Sequence, residues 1–188
     1  MKPKLGGTVY SHSLDGWSVS WESHGQCRHR CIQAKPDFND HVLVVMKNPG
    51  SLSGDGSRLR SDTTLRNLRT FGDAVQVSQT AVNLFDYACP SPADLHRNWH
   101  LRDAEGLVYE KLKASNYRAV LYAYGDSHRD HLVDYTERVE MVRRQFRDLP
   151  EIRIPTTKAG NPVHPMNWVR SSHLPAIVKV MVEFLRPR

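Results

Sequence analysis

The sequence predicts an α/β protein with three layers: a central, mostly parallel four-stranded sheet, helices on both faces, and an N-terminal β-hairpin extension. Three observations lead to this fold class. Beyond the first 40 residues, short apolar runs alternate with amphipathic segments, a pattern typical of parallel strands joined by helices. Residues 8–21 instead alternate apolar and polar side chains around Asp15-Gly16, which is typical of a hairpin. The 188 residues suit a single domain, with the extension over 1–40 and the α/β core over 41–188.

The strands are predicted from apolar runs that end at turn residues. A short strand follows the hairpin, and four core strands come after it. The first core strand, Val-Leu-Val-Val-Met, is apolar throughout, as a strand buried on both faces requires. The five strands are expected at 29–35, 42–46, 80–88, 117–125 and 151–157.

The helices are predicted from amphipathic periodicity and from residues typical of helix ends. The first helix follows a polar cap and closes at Gly72, and the last is capped and accepts Pro175 in its first turn. The four helices are expected at 61–72, 103–115, 128–146 and 171–185.

Composition narrows the class of protein. Hydrophobic residues make up 39% of the chain, and no apolar stretch approaches the roughly 18–20 residues of a membrane span. The N-terminus lacks the apolar core of a secretory signal, and three cysteines, an odd number, favour a reducing cytoplasm over a disulfide scaffold. The net charge of +6 fits a polyanionic partner such as nucleic acid, and equally a basic enzyme. We expect a cytoplasmic monomer with no membrane contact.

Four predicted strand ends carry polar loops. Their sequences are "KNPGS", "NLFDYACPSP", "YGDSH" and "TTKAGNPVHPMNW". Ligand sites in α/β proteins collect at the carboxyl ends of parallel strands. We therefore expect these four loops to converge on one site.

Phosphate-loop and metal motifs are weak in this sequence. The segment "GSLSGDGSR" lacks both the G-K-[ST] and the G-x-G-x-x-G signatures, so we expect no nucleotide P-loop. Cys27, His29 and Cys31, with His24 nearby, are spaced like neighbours on a strand, and no second ligand pair follows them. Cys89 is best explained as a buried thiol. We expect no metal ion and no cofactor.

Two groups of arginines are candidates for phosphate contact. The group that follows "KNPG" lies next to the expected site, where guanidinium groups suit phosphate well; it consists of Arg58, Arg60, Arg66 and Arg69. The second group is better explained as the solvated face of a helix; it consists of Arg138, Arg143, Arg144 and Arg147.

Three motifs, taken together and in order, resemble the uracil-DNA glycosylase superfamily, most closely its mismatch-specific uracil/thymine branch. The first is "MKNPG", where Lys47 occupies a position that is usually apolar in that branch. The second begins "NLF" at Asn83, comparable to an Asn-Met/Leu-Val turn before a proline-containing loop. The third is "HPM" from His164, comparable to H-P-S or N-P-S, with Met166 in place of serine. The sequence also resembles an uncharacterised bacterial and phage domain family with N-P-S, N-L-F and K-x-G-x-P-x-H-P motifs.

The resemblance implies a DNA glycosylase that acts on a base flipped out of the duplex. Asn48 would hold the attacking water, because no aspartate stands at the "NPG" position, and His164 would donate to the departing base. Asn83 would read the edge of a pyrimidine, and Phe85 or Tyr87 would stack on it unless they belong to the core.

The resemblance also implies contacts to DNA. Trp168 is the bulkiest of three residues expected to form a wedge in the helix. The full set of expected DNA contacts is Lys47, Ser51, Arg58, Arg60, Arg66, Lys158, Met166, Asn167, Trp168 and Arg170. Asp62 and Asp126 are alternative water-activating groups, although both are more simply explained as helix caps.

Two other functions remain open at this point. One is a hydrolase acting on free nucleotides or nucleosides through the same pocket, and the other is a nucleic-acid-binding module without catalysis. The departures from the common motifs favour a modified or non-standard base over plain uracil. A base-modified phage genome would be one such target, which makes antiviral defence a natural hypothesis.

Overall fold

A computed structural model of the chain describes residues 8–14, 17–24, 27–35, 37–48, 63–85, 112, 116–127 and 132–186. The strands are β1 (Thr8–Leu14), β2 (Trp17–His24), β3 (Cys27–Lys35), β4 (Asp40–Met46), β5 (Val77–Asn83), β6 (Ala119–Tyr122) and β7 (Glu151–Ile152). The longer helices are α1 (Thr63–Val75), α2 (Leu132–Gln145) and α3 (Leu174–Leu185), and a short 3-10 helix covers Pro165–Asn167.

These strands form one sheet in the order β1-β2-β3-β5-β4-β6-β7. The four strands β5, β4, β6 and β7 are parallel, while β1, β2 and β3 pair antiparallel with each other and β3 pairs antiparallel with β5. The three-layer α/β fold with a four-stranded parallel sheet and an N-terminal hairpin is therefore confirmed. The hairpin closes where Leu14 pairs with Trp17, on either side of the predicted Asp15-Gly16 turn.

The central strand β4 explains the unbroken apolar run in the sequence. Val42, Val44 and Met46 pack into a core with α1 and α3. Leu43 and Val45 pack into a second core with α2 on the opposite face. Because both faces of β4 are covered, every second residue must be apolar on each face, and the run becomes continuous.

Several predicted element bounds shift in the structure. The strands β5, β6 and β7 end before the expected positions, and α2 lies within its expected range. Pro175 lies in the first turn of α3 as predicted, but the N-cap residue His173 makes no side-chain capping bond. The predicted helix at 103–115 lies outside the described residues apart from Leu112, which is helical. Within the described ranges no helix is long and apolar enough to cross a membrane.

Gly72 does not close α1, which continues to Val75. The glycine instead makes room for Gln79 of β5, whose buried side-chain amide donates from Nε2 to the carbonyl of Leu68 at 2.8 Å. A Cβ on Gly72 would lie 2.1 Å from that Nε2. The glycine therefore permits a helix-to-strand hydrogen bond that sequence periodicity does not reveal.

We expect Gly72→Ala to lower the free energy of unfolding by about 1 kcal/mol. The loss of a buried hydrogen bond (~1–3 kcal/mol) outweighs the roughly 1 kcal/mol that alanine adds to a helix interior. Chemical denaturation measures both variants. The matched control is the same substitution in a Gln79→Ala background, where only the contact with the Val77 carbonyl at 3.1 Å remains and the cost should be smaller. An equal cost in both backgrounds would refute the proposed role of Gly72.

Candidate functional site

The candidate site lies at the carboxyl ends of β4 and β6, where the order of consecutive strands across the sheet changes direction. The chain leaves β4 toward β5 on one side, whereas β6 lies on the other side of β4 and leads on to β7. In α/β sheets the crevice at the carboxyl ends of two such strands is the usual ligand site. The last paired residues there are Val45 and Tyr122, and Ala123 extends the pairing by donating to Val45 at 2.8 Å.

Lys47 spans this crevice from the end of β4. Its half-buried side chain donates from Nζ to the backbone carbonyl of Asp126, just beyond β6. The ammonium also lies 6.0 Å from the centre of the Tyr135 ring, within the range of a cation–π contact. Burial lowers the pKa of Lys47, and the charge of Asp126 opposes part of that shift. The predicted DNA contact at Lys47 thus points into the site, not along the outer surface.

His164 reaches the same crevice from the loop before the 3-10 helix. The adjoining backbone of Gly125 adopts a left-handed conformation (φ +70°), and a Cβ there would lie only 3.0 Å from Cβ of His164. The amide of Gly125 donates to Pro162 at 2.8 Å, which anchors this loop against the end of β6. Glycine is therefore required both by backbone conformation and by the close approach of His164.

The hydrogen bonding of His164 selects one ring tautomer. Its Nδ1 accepts a hydrogen bond from the backbone amide of Met166 at 3.3 Å. In a neutral imidazole the proton then resides on Nε2, which becomes a donor. Burial first, and the charge of Lys47 second, lower the pKa of His164 to about 4. At neutral pH the ring is an uncharged hydrogen-bond donor.

Asp126 holds the neighbouring loop in place. Its Oδ1 accepts from Thr157 Oγ1 at 2.6 Å and from Asn161 Nδ2 at 2.9 Å. These bonds fix the "TTKAGNP" segment that leads to His164. Oδ1 of Asp126, the alternative water-activating residue, therefore already accepts hydrogen bonds from two side chains of this loop.

A buried amide on α1 fixes the 3-10 helix that follows His164. Asn67 donates from Nδ2 to the carbonyl of Pro165 at 2.7 Å.

Trp168 follows directly after this 3-10 helix and is fully buried. Its ring packs edge-on against Phe71, with the ring centres 5.4 Å apart, and its Nε1–H donates to the carbonyl of Val163 at 3.0 Å. The prediction of Trp168 as a DNA wedge is wrong, because its ring fills the core and its N–H is already used.

Three predicted site residues lie on the ends of β4 and β5. Asn48 is half-buried just beyond β4, and Asn83 is buried at the end of β5, in register with Met46. Phe85 follows in a turn whose amide donates to Lys47 at 2.9 Å, but its ring is buried and stacks on Tyr135 at 6.1 Å. Phe85 therefore belongs to the core, and the stacking role predicted for it does not fit its position.

The remaining predicted contacts that the structure describes are all exposed. Met166 is 52% exposed. The other exposed side chains in this group are those of Arg66, Lys158, Asn167 and Arg170. The predicted residues that lie outside the described part of the chain are Ser51, Arg58, Arg60, Asp62 and Tyr87.

Sequence reasoning missed three residues that support the site. Tyr135 is buried and its hydroxyl donates to the carbonyl of Gly125 at 2.7 Å; burial, followed by the effects of Tyr124 and Asp126, raises its pKa. Asn67 supports the 3-10 helix as described above. The signal for both was a polar atom on the apolar face of a helix.

Arg138 is the third supporting residue. It is 4% exposed and donates from Nε to the carbonyl of Leu84, in the turn after β5. Its assignment to a solvated helix face is therefore wrong. Arg143, by contrast, pairs with Glu151 at 2.8 Å and covers the Tyr122 ring at 4.3 Å.

Among the residues that the structure describes, no three His, Cys, Asp or Glu side chains are grouped so that they could hold a metal ion. The described crevice offers a lysine ammonium, a neutral imidazole donor and side-chain amides. Such groups stabilise developing negative charge and position a water molecule.

A comparison with protein-family models finds a match over most of the chain. The family model described as a protein of unknown function (DUF1643) matches residues 21–166. The chain belongs to this family. Neither a search of the curated proteins nor a search of the solved structures returned a significant match. The segment matched to DUF1643 runs from β2 to Met166 and so contains Lys47, Asn83, Gly125 and His164.

We expect Gly125→Ala to destabilise this DUF1643 protein more than Gly160→Ala does. Both glycines have positive φ, so alanine should cost about 1–2 kcal/mol at either position. Only Gly125 adds a clash with His164, since a Cβ on Gly160 would meet nothing within 4 Å. Thermal denaturation gives the difference, and His164 ring resonances should shift only in Gly125→Ala. Equal losses with unchanged resonances would contradict this role.

The stability of the protein should also depend on the titration of His164. Because its pKa in the folded state is about 4, below the usual 6.5, the unfolded chain binds a proton there between about pH 6.5 and 4 that the folded chain does not. The free energy of unfolding is expected to fall as the pH drops through this window. His164→Gln should remove that part of the fall, as measured by denaturant unfolding at each pH. The same slope in both proteins would show that the His164 pKa is not depressed.

Proposed function

We propose that this protein is a DNA glycosylase that hydrolyses the N-glycosidic bond of a flipped, modified or non-standard pyrimidine base and leaves an abasic site. The observation that carries the proposal is the meeting of Lys47 and His164 at the carboxyl ends of β4 and β6. Lys47 bonds to the carbonyl of Asp126, and His164 packs against Gly125, the residue before it. Both groups therefore lie at the end of β6, and the charge of Lys47 acts on His164. Two of the three glycosylase-like motifs thus supply donors to one crevice.

The reaction needs two kinds of stabilisation. As the bond between the sugar carbon and the base nitrogen breaks, its electron pair leaves with the base, and the sugar gains oxocarbenium character. The oxygen of a water molecule then bonds to the sugar carbon and gives up a proton. The base leaves as an anion and is protonated afterwards. A site for this reaction must hold a water on one side of the sugar and donate to the base on the other.

His164 suits the second task. Its Nε2–H is available because Nδ1 is occupied by the amide of Met166, and the low pKa keeps the ring neutral at pH 7. A neutral imidazole stabilises a departing anion by hydrogen bonding, without the need to lose a charge afterwards. Asn48, next to Lys47 and half-buried, would hold the water, and Asn83 at the end of β5 would read the base edge.

The residues that would contact the DNA duplex have exposed side chains. Met166 is the exposed apolar residue of the 3-10 helix and replaces Trp168 as the wedge that would fill the gap left by the flipped base. The basic side chains Arg66, Lys158 and Arg170 would contact phosphates, in keeping with the net charge of +6. A cytoplasmic, monomeric enzyme of this kind would meet base-modified phage DNA directly, so the proposal includes antiviral defence.

The burial of Trp168 favours one second candidate, a hydrolase of free modified nucleotides. Loss of the bulkiest predicted wedge removes one reason to require a duplex. The two functions share the same donors and the same bond cleavage, and they differ in substrate size and in salt dependence. Glycosylase action on a duplex should weaken steeply with salt, whereas action on a nucleotide should not.

The test is alkali cleavage of a panel of duplexes that carry modified pyrimidines, run beside unmodified duplexes. For the matching mononucleotides, chromatography detects the released base. We expect strand scission on at least one modified duplex. His164→Gln should lower the rate by about 10²–10³-fold, the cost of one lost oxyanion donor, and Asn48→Ala should lower it by about 10²-fold or more. Lys179→Met, which removes an exposed lysine of α3, is the matched control.

The outcomes separate the candidates. Base release from nucleotides alone would select the nucleotide hydrolase, and full activity in both site variants would reject the assigned roles. No release from any substrate, with salt-dependent duplex binding intact, would leave the protein as a binding module and end the proposal.

A further inference from the structure

Lys47 carries a charge whose direct partner is a neutral group. Its Nζ donates to the backbone carbonyl of Asp126, and among the residues the structure describes no carboxylate forms an ion pair with it. The nearby Asp126 carboxylate instead accepts from Thr157 and Asn161 through Oδ1. An ammonium group has three donors, and the carbonyl uses one of them.

A partly buried ammonium without a paired carboxylate is costly to the fold, and the lowered pKa of Lys47 reflects that cost. The surrounding residues nevertheless hold the cation in place. The ring of Tyr135 faces it at 6.0 Å, and the hydroxyl of Tyr135 is tied to Gly125 at 2.7 Å. A tethered cation of this kind is suited to meeting an anion that is not part of the chain.

His164 supplies a second donor to the same place. Because Nδ1 accepts from Met166, the ring presents Nε2–H. Gly125 lets the backbone and Cβ of His164 approach the end of β6, where the Lys47 ammonium is bonded one residue further along, to the carbonyl of Asp126. The charge of Lys47, at the end of β4, acts on His164.

We propose that the Lys47 ammonium and the His164 Nε2–H form one anion-binding pair that takes an anionic oxygen at the carboxyl ends of β4 and β6. The pair deepens the proposed function, on which it rests for the identity of its anion. In a glycosylase the oxygen would belong to the departing base. A phosphate oxygen of the substrate has the same chemistry and is the other possible source.

Nuclear magnetic resonance of the full chain tests the pair without turnover. Two-bond proton–nitrogen spectra of the ten histidine rings, assigned with His164→Gln, report the tautomer of His164. Two probes distinguish the sources: inorganic phosphate, and 5-nitrouracil as a pyrimidine that is an anion at neutral pH. We expect the Nε2–H tautomer and a saturable shift of the His164 resonances with at least one probe.

Lys47→Met removes the charge, and Lys47→Arg keeps it. Lys47→Met should raise the pKa of His164 from about 4 and weaken probe binding at least tenfold, since hydrogen bonds to charged groups are worth roughly 1.5–3 kcal/mol. Lys47→Arg should retain most of both properties, and the control Lys179→Met should change neither. The tautomer and the saturable shift are measured on the unaltered protein, so they test the pair even if Lys47→Met does not fold.

The results overturn the pair if His164 carries its proton on Nδ1, if neither probe binds, or if Lys47→Met binds as tightly as the unaltered protein. Saturation with 5-nitrouracil assigns the pair to the base, and saturation with phosphate alone assigns it to a phosphate group. Probe binding with no base release from any substrate would keep the pair and reject the glycosylase. Base release that Lys47→Met leaves unchanged would keep the glycosylase and reject the pair.

Discussion

The hydrogen bond from the Lys47 ammonium to the Asp126 carbonyl joins the ends of two parallel strands, and the rest of the site depends on it. Beyond the last backbone pairing, the chains leaving β4 and β6 have no ladder to hold them together. Lys47 bridges this gap and so fixes the width of the crevice at the switch in strand order. The position of His164 follows, because it packs on Gly125, the residue before Asp126.

The positive charge of Lys47 at the end of β4 changes the pKa of the neighbouring His164. An apolar residue at the end of β4 would continue the pattern of the strand and leave His164 to titrate under the influence of burial alone. Lys47 adds a positive charge that disfavours protonation of the imidazole. Because both groups are hydrogen-bond donors, we expect them to disfavour a second cation and to favour an anion.

The sequence predicted the fold well where local patterns determine structure. The run Val42–Met46 predicted a doubly covered strand, because burial on both faces demands it, and the alternating residues around Asp15-Gly16 predicted the hairpin. The failures involve contacts between residues distant in sequence. Gly72 resembled a helix end because its partner, Gln79, acts through a side chain on another element. No local pattern carries that information.

The residues of the candidate site show the same difference between local sequence patterns and contacts between distant residues. Lys47, Asn48 and His164 were predicted from motifs that follow one another in order along the chain, and their roles stay predictions. Trp168 was misjudged because a large aromatic residue after a loop resembles an exposed wedge, whereas Phe71 lies against its ring in the core. Arg138 was misjudged for the opposite reason, since an arginine on a helix is usually solvated and here it reaches a backbone carbonyl inside.

Hydrogen bonds to the backbone orient the side chains of Lys47 and His164. Lys47 is bonded to the carbonyl of Asp126 and His164 to the amide of Met166, so each is oriented by backbone and neither depends on the other's side chain for position. The backbone groups are themselves fixed, since Asn67 holds the 3-10 helix and Tyr135 holds the end of β6. Donors fixed in this way need little reorganisation when negative charge develops, which is the main source of electrostatic catalysis. The same rigidity limits the choice of ligand, because a fixed pair of donors suits an oxygen acceptor at one position better than a group that requires the site to rearrange.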